Sequence, residues 1–115
     1  MRLYETKLLV KIDPNNKLAF NGSSNMITYT EEFKGELFEC RKSLKSSLEN
    51  IGCQFTVFNA DLKTLISLLH IFEFAIDKVE KLSDKYISKH KGEFKFVFQR
   101  KGINVRITIH IDRIK

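Results

Sequence analysis

Residues 93–115, EFKFVFQRKGINVRITIHIDRIK, alternate apolar and polar side chains almost without interruption. A period of two sends successive side chains to opposite faces of a strand, so the pattern is that of a half-buried β ribbon. Lys101-Gly102 is its only turn signal. A two-residue loop there sets Phe98 opposite Val105, Phe96 opposite Ile107 and Phe94 opposite Ile109, making every pair on one face apolar. A three-residue loop would slip the register and set Lys95 opposite Ile107. Burial of one face excludes that slip, whereas a four-residue loop gives the same pairs. The other face then holds Glu93 across from His110, Lys95 from Thr108, Val97 from Arg106 and Gln99 from Asn104. It is polar, mildly basic and free of aromatic rings.

The remainder of the chain supplies partners for this ribbon. KLLVKID alternates around Leu8, Val10 and Ile12, and Asp13-Pro14-Asn15-Asn16 has the residue order of a type I turn. Alternation resumes at Leu18 and Phe20, so an N-terminal hairpin is expected. NGSSN reads as a loop, and NMITY as a short third strand or the approach to a helix. Thr30 is a good N-cap for a helix over EEFKGELFECRKSLKSSLEN. There Phe33, Leu37, Cys40, Leu44, Leu48 and Ile51 recur at steps of three and four, on one face, before a stop at Gly52. Its acidic first half and basic second half suit the helix dipole and need no ligand. CQFTVFN, apolar on both faces, reads as an interior strand.

A second helix is expected from Asp61 to Gly92, with no Gly or Pro between them. About 29 residues at 1.5 Å each give roughly 43 Å. A compact domain of this length has a diameter of about 34 Å. Such a helix overhangs its own domain, breaks, or packs on a second copy. Leu62, Leu65, Leu69, Phe72, Ile76 and Val79 form one apolar stripe, and Leu68, Ile71, Ala75 and Leu82 form another beside it. Covering one face of a small sheet needs a single stripe. Leu68, Ile71, Phe74, Ala75 and Leu82 are therefore candidates for an interface with a partner protein or a second copy.

These elements give one domain over residues 1–115, a two-layer α+β sandwich of a largely antiparallel sheet and two helices, in the order ββ(β)αβαββ. The 115 residues include ten Phe and three Tyr, unlike a disordered chain. MRLYETKLLVKID lacks the apolar core of a secretory signal, and LISLLHIFEFAI is too short and too interrupted to span a bilayer. A cytoplasmic protein is expected, with Cys40 and Cys53 as reduced thiols and Asn21-Gly22-Ser23 as a turn rather than a glycosylation site.

The chain has no phosphate-binding glycine loop, no nucleophile elbow and no H-E-x-x-H. His70 and Glu73, one helical turn apart, and Glu93 and His110, across the hairpin, read as surface pairs. Cys40 lies on an apolar stripe without a base. No enzyme activity, cofactor or metal is expected.

Charge is uneven: residues 1–60 carry a net +1 and residues 61–115 a net +5. Lys95, Arg100, Lys101 and Arg106 on the hairpin, with Lys85 and Lys89 on the second helix, are candidates for contact with the backbone of DNA or RNA. Hairpin aromatics face the core, so base stacking of the kind seen on open RNA-binding sheets is not expected. The first expectation is a protein-interaction module, such as a regulator, inhibitor or adaptor, that self-associates through the second helix. The alternative is a basic nucleic-acid accessory protein.

Overall fold

The period-two segments pair into a four-stranded sheet. The computed structural model describes residues 2–13, 27–54, 62–100 and 103–114. Its elements are β1 (Tyr4–Asp13), β2 (Ile27–Gly35), α1 (Leu37–Gln54), α2 (Leu62–Glu80), α3 (Asp84–Lys89), β3 (Glu93–Arg100) and β4 (Ile103–Arg113). Sheet order is β2-β1-β4-β3, with every neighbouring pair antiparallel. The α+β class and antiparallel sheet are those expected.

The β3–β4 register matches the hydrophobic argument: Phe94 faces Ile109, Phe96 faces Ile107, Phe98 faces Val105 and Glu93 faces His110. β4 in turn pairs with β1, Ile12 with Val105 and Leu8 with Ile109. The two central strands thus align their apolar residues on one face. That face buries Tyr4, Leu8, Val10 and Ile12 of β1 with Val105, Ile107, Ile109 and Ile111 of β4. Cys40, Leu44, Leu48 and Ile51 of α1 and Leu68, Ile71, Phe72, Ala75 and Val79 of α2 complete the core. Burying each of the larger side chains contributes about 1.5–3 kcal/mol before the entropy of ordering is set against it.

Three expectations are corrected. Residues 30–35 were expected in the first helix, but they extend strand β2, in which Thr30 faces Leu9 and Phe33 faces Thr6. The alternation of Tyr29 and Phe33 with exposed neighbours satisfies a strand as well as a helix, and Gly35 weakens the helical option. β2 is β1's partner on that side. The turn at Pro14 and residues 18–20 lie outside the described residues.

Second, α1 runs through Gly52 to Gln54, so Cys53 and Gln54 are helical, not the start of a strand. The rest of that expected strand, residues 55–59, lies outside the described residues. Third, the long second helix is divided. α2 ends at Glu80, and Ser83 caps α3 by accepting a hydrogen bond from the Tyr86 backbone N–H at 3.2 Å. The Arg41 guanidinium of α1 donates to the Leu82 carbonyl inside the break, holding it against the first helix. At 19 residues α2 is about 28 Å long, within the span of one small domain.

α3 closes onto the sheet through Ile87, which is buried, and Tyr86, stacked on Phe94 with ring centroids 5.4 Å apart. Lys91 and Gly92 then take positive φ, 55° and 71°, which turns the chain into β3.

Candidate interaction surfaces

Among the described residues, helices cover one face of the sheet. Alternation leaves Lys7, Leu9 and Lys11 of β1, Arg106, Thr108 and His110 of β4, and Lys95, Val97 and Gln99 of β3 on the uncovered face. A shallow depression of about 530 Å³ is lined by Leu9, Lys11, Glu93, Lys95, Val97, Arg106, Thr108 and His110. A second, of about 190 Å³, continues from it along Lys11, Val97, Arg106, Gln99, Asn104 and Asp13.

Charge on this face is balanced in total. Lys7, Lys11, Lys34, Lys95 and Arg106 stand against Glu5, Asp13, Glu32, Glu93 and Asp112. It is not balanced locally. Lys95 Nζ is taken by Glu93 Oε1 at 2.9 Å. The Lys95 ammonium, with a smaller contribution from His110, holds the Glu93 carboxyl below its ordinary range. Lys11 and Arg106 are direct cross-strand partners, and neither makes an ion pair among the described residues.

The nucleic-acid candidates do not converge on one surface. Lys95 and Arg106 lie on the uncovered face. Lys85 and Lys89 are exposed on α3, in the helical layer on the other side of the sheet. Arg100 is the last residue of β3, opposite Ile103, and Lys101 lies outside the described residues.

The interface candidates also divide. Leu68, Ile71, Ala75 and Leu82 are buried in the chain's own core, at 0–3% exposure. The second stripe of α2 is thus covered by the domain itself, and a partner does not reach these four side chains. Phe74 is different. It is 54% exposed at the β3 edge, with its ring edge-on to Phe96 at 6.2 Å and Lys78 Nζ over its face at 5.3 Å. Ile71, Phe74, Lys95, Phe96 and Val97 line a groove of about 350 Å³ there. Val97 is 56% exposed on the uncovered face of the same strand.

Comparison with protein-family models, curated proteins and solved structures finds no significant match to this chain.

Two features escaped the sequence reading. The sequence pairs the Lys11 strand with residues 18–20, which hides the position of Lys11 beside Arg106. The exposure of Leu62, Ile66 and Leu69 was masked by their helical spacing, which is also that of a core stripe.

The expected surface pairs are seen as such. His70 Nδ1 lies 3.9 Å from Glu73 Oε2 with both side chains exposed, and Glu93 faces His110 across the ribbon. Cys40 Sγ is buried 3.5 Å from the Gly35 carbonyl and 3.8 Å from that of Tyr4. Burial, and then the Glu39 carboxylate, raise its pKa, which disfavours the nucleophilic thiolate. Among the described residues no group of three or more His, Cys, Asp or Glu is placed to hold a metal ion, and no helix is long and apolar enough to cross a membrane.

Proposed function

We propose that this chain is a small, intracellular, non-enzymatic protein-interaction module, a regulator, inhibitor or adaptor, that pairs with a second copy of itself through the β3 edge. One observation carries the reading. Among the described residues β3 ends the sheet, and it is flanked by exposed apolar side chains on both faces, Val97 on one and Phe74 beside Phe96 on the other. A strand at a sheet edge presents unpaired N–H and C=O groups, and it accepts a further strand readily when apolar side chains flank it.

The β3 sequence is self-complementary in this geometry. Antiparallel pairing about a twofold axis at Val97 sets Val97 opposite its copy, Lys95 opposite Gln99 and Phe96 opposite Phe98. No like charges meet, and the two Phe74 grooves come to lie on the same side of a continuous sheet. The free, buried thiol of Cys40 suits a reducing compartment.

Sedimentation across the micromolar range tests the proposal. The expected result is a concentration-dependent dimer that Val97→Lys, by setting two ammonium groups face to face at the axis, converts to monomer with an unchanged far-ultraviolet spectrum. A wild-type chain that stays monomeric throughout overturns self-association. A dimer indifferent to Val97→Lys overturns the choice of edge.

The alternative, an accessory protein on DNA or RNA backbones, draws on the net charge of +6. With its candidate lysines and arginines on opposite sides of the sheet, it lacks a continuous track for phosphates.

A further inference from the structure

The uncovered sheet face sets like charges opposite each other twice, Glu5 opposite Asp112 and Lys11 opposite Arg106. Cross-strand neighbours on one face of an antiparallel pair have Cβ atoms about 4.5–5.5 Å apart, and like charges so placed destabilise the sheet. On this face an acid ends the row of Glu32, Lys7, His110 and Glu93 at each edge. The row of Thr28, Lys11, Arg106 and Val97 sets two cations side by side and holds no acid, with Asp13 two residues after Lys11 on the same face. Neither cation is neutralised by an ion pair among the described residues.

The surroundings are those of a receptor rather than of bare solvent-facing sheet. Both side chains line the two depressions. Between them and Lys95 lies Thr108, which is 8% exposed and whose solvent-reached hydroxyl makes no hydrogen bond among the described residues. Leu9 and Val97 form an apolar floor alongside. We infer that Lys11, Arg106 and the Thr108 hydroxyl form a site for a compact phosphate-bearing anion on the uncovered face of the sheet. Arg106 supplies a planar fork of N–H donors, Lys11 a point charge, and Thr108 a neutral donor; phosphate oxygens satisfy all three at once. The anion removes the repulsion between the two cations.

Acids bound the site at both ends, Glu93 in the larger depression and Asp13 in the smaller. A long polyanion laid along the face would meet them, so a small ligand is favoured over a nucleic-acid strand.

The test uses the full chain, inorganic pyrophosphate as probe, and sulfate at matched ionic strength as control, followed by amide chemical shifts and thermal melting. Expected are saturable shifts centred on Lys11, Val97, Arg106 and Thr108, and a rise in melting temperature larger than sulfate gives. Arg106→Gln is expected to weaken pyrophosphate binding about tenfold or more, as loss of a charge-assisted hydrogen bond does. The same variant is expected to melt no lower than wild type without ligand, because it relieves the repulsion. Absence of saturable binding overturns the inference, as does binding that Arg106→Gln leaves intact. Loss of ligand-free stability in Arg106→Gln also overturns it, by showing that Arg106 serves the fold. A mixed-sequence oligonucleotide that binds more tightly than pyrophosphate through the same amides replaces the compact anion with a polyanion.

Discussion

Gly92 shows how much of this fold rests on one backbone position. Its N–H donates to the Ile87 carbonyl at 2.9 Å, closing α3, and its carbonyl accepts from the Ile111 N–H at 2.8 Å, joining β4. Its φ of +71° is one that a side chain disfavours, and a Cβ there would stand 2.3 Å from the Ile111 carbonyl oxygen. Gly92→Ala is therefore expected to destabilise the chain by about 2 kcal/mol or more, the left-handed conformation and the clash adding together. Urea denaturation of the two proteins checks this. The sequence shows Gly92 only as the end of a helix. The approach of β4, which makes the residue irreplaceable, arises from a strand that follows later in the chain.

At the scale of elements, the local signals were sound where a single period fitted and failed where two did. From Leu37 to Ile51 the spacing of three and four is unambiguous, and Cys40, Leu44, Leu48 and Ile51 are buried as that spacing requires. Phe33 stands four residues before Leu37 but also four after Tyr29, so it continues a helix or a strand equally well. The free edge of β1 decides for the strand, since pairing Ile27–Gly35 there satisfies backbone groups that a longer helix would leave open. The break between α2 and α3 carried a signal that was legible, a serine three residues before Tyr86, but no Gly or Pro accompanied it. Ser83→Ala is expected to cost about 1 kcal/mol by leaving the Tyr86 N–H without its acceptor. The difference between the two chevron or equilibrium curves measures it, and an unchanged curve would mean that the Arg41 contact alone holds the break.

For the whole molecule, the decisive fact is that, among the described residues, three helical segments cover one face of a four-stranded sheet and leave the other open. The second apolar stripe of the second helix, expected as an interface, is absorbed by that arrangement, whereas Leu62, Ile66, Leu69 and Phe74 stay exposed. Leu68→Ala is accordingly expected to destabilise the chain by about 2–5 kcal/mol, the range for a buried leucine truncated to alanine. The loss should be independent of protein concentration when measured by denaturation at several concentrations. A loss that grows on dilution would return Leu68 to an interface. Two of the surfaces that remain, the β3 edge and the uncovered face with its Lys11–Arg106 row, each have their own experiment.

The amino-acid sequence by itself determined the α+β class, the body of α1 and the register of the β3–β4 ribbon. In each case one periodicity with one buried face admits a single solution. Tertiary structure alone decided that residues 27–35 are a strand, that α2 buries its second stripe, and that Lys11 stands beside Arg106. Those outcomes join residues distant in the chain. Local spacing says which side chains share a face, but strand order, settled by how the whole core closes, says which of them become neighbours.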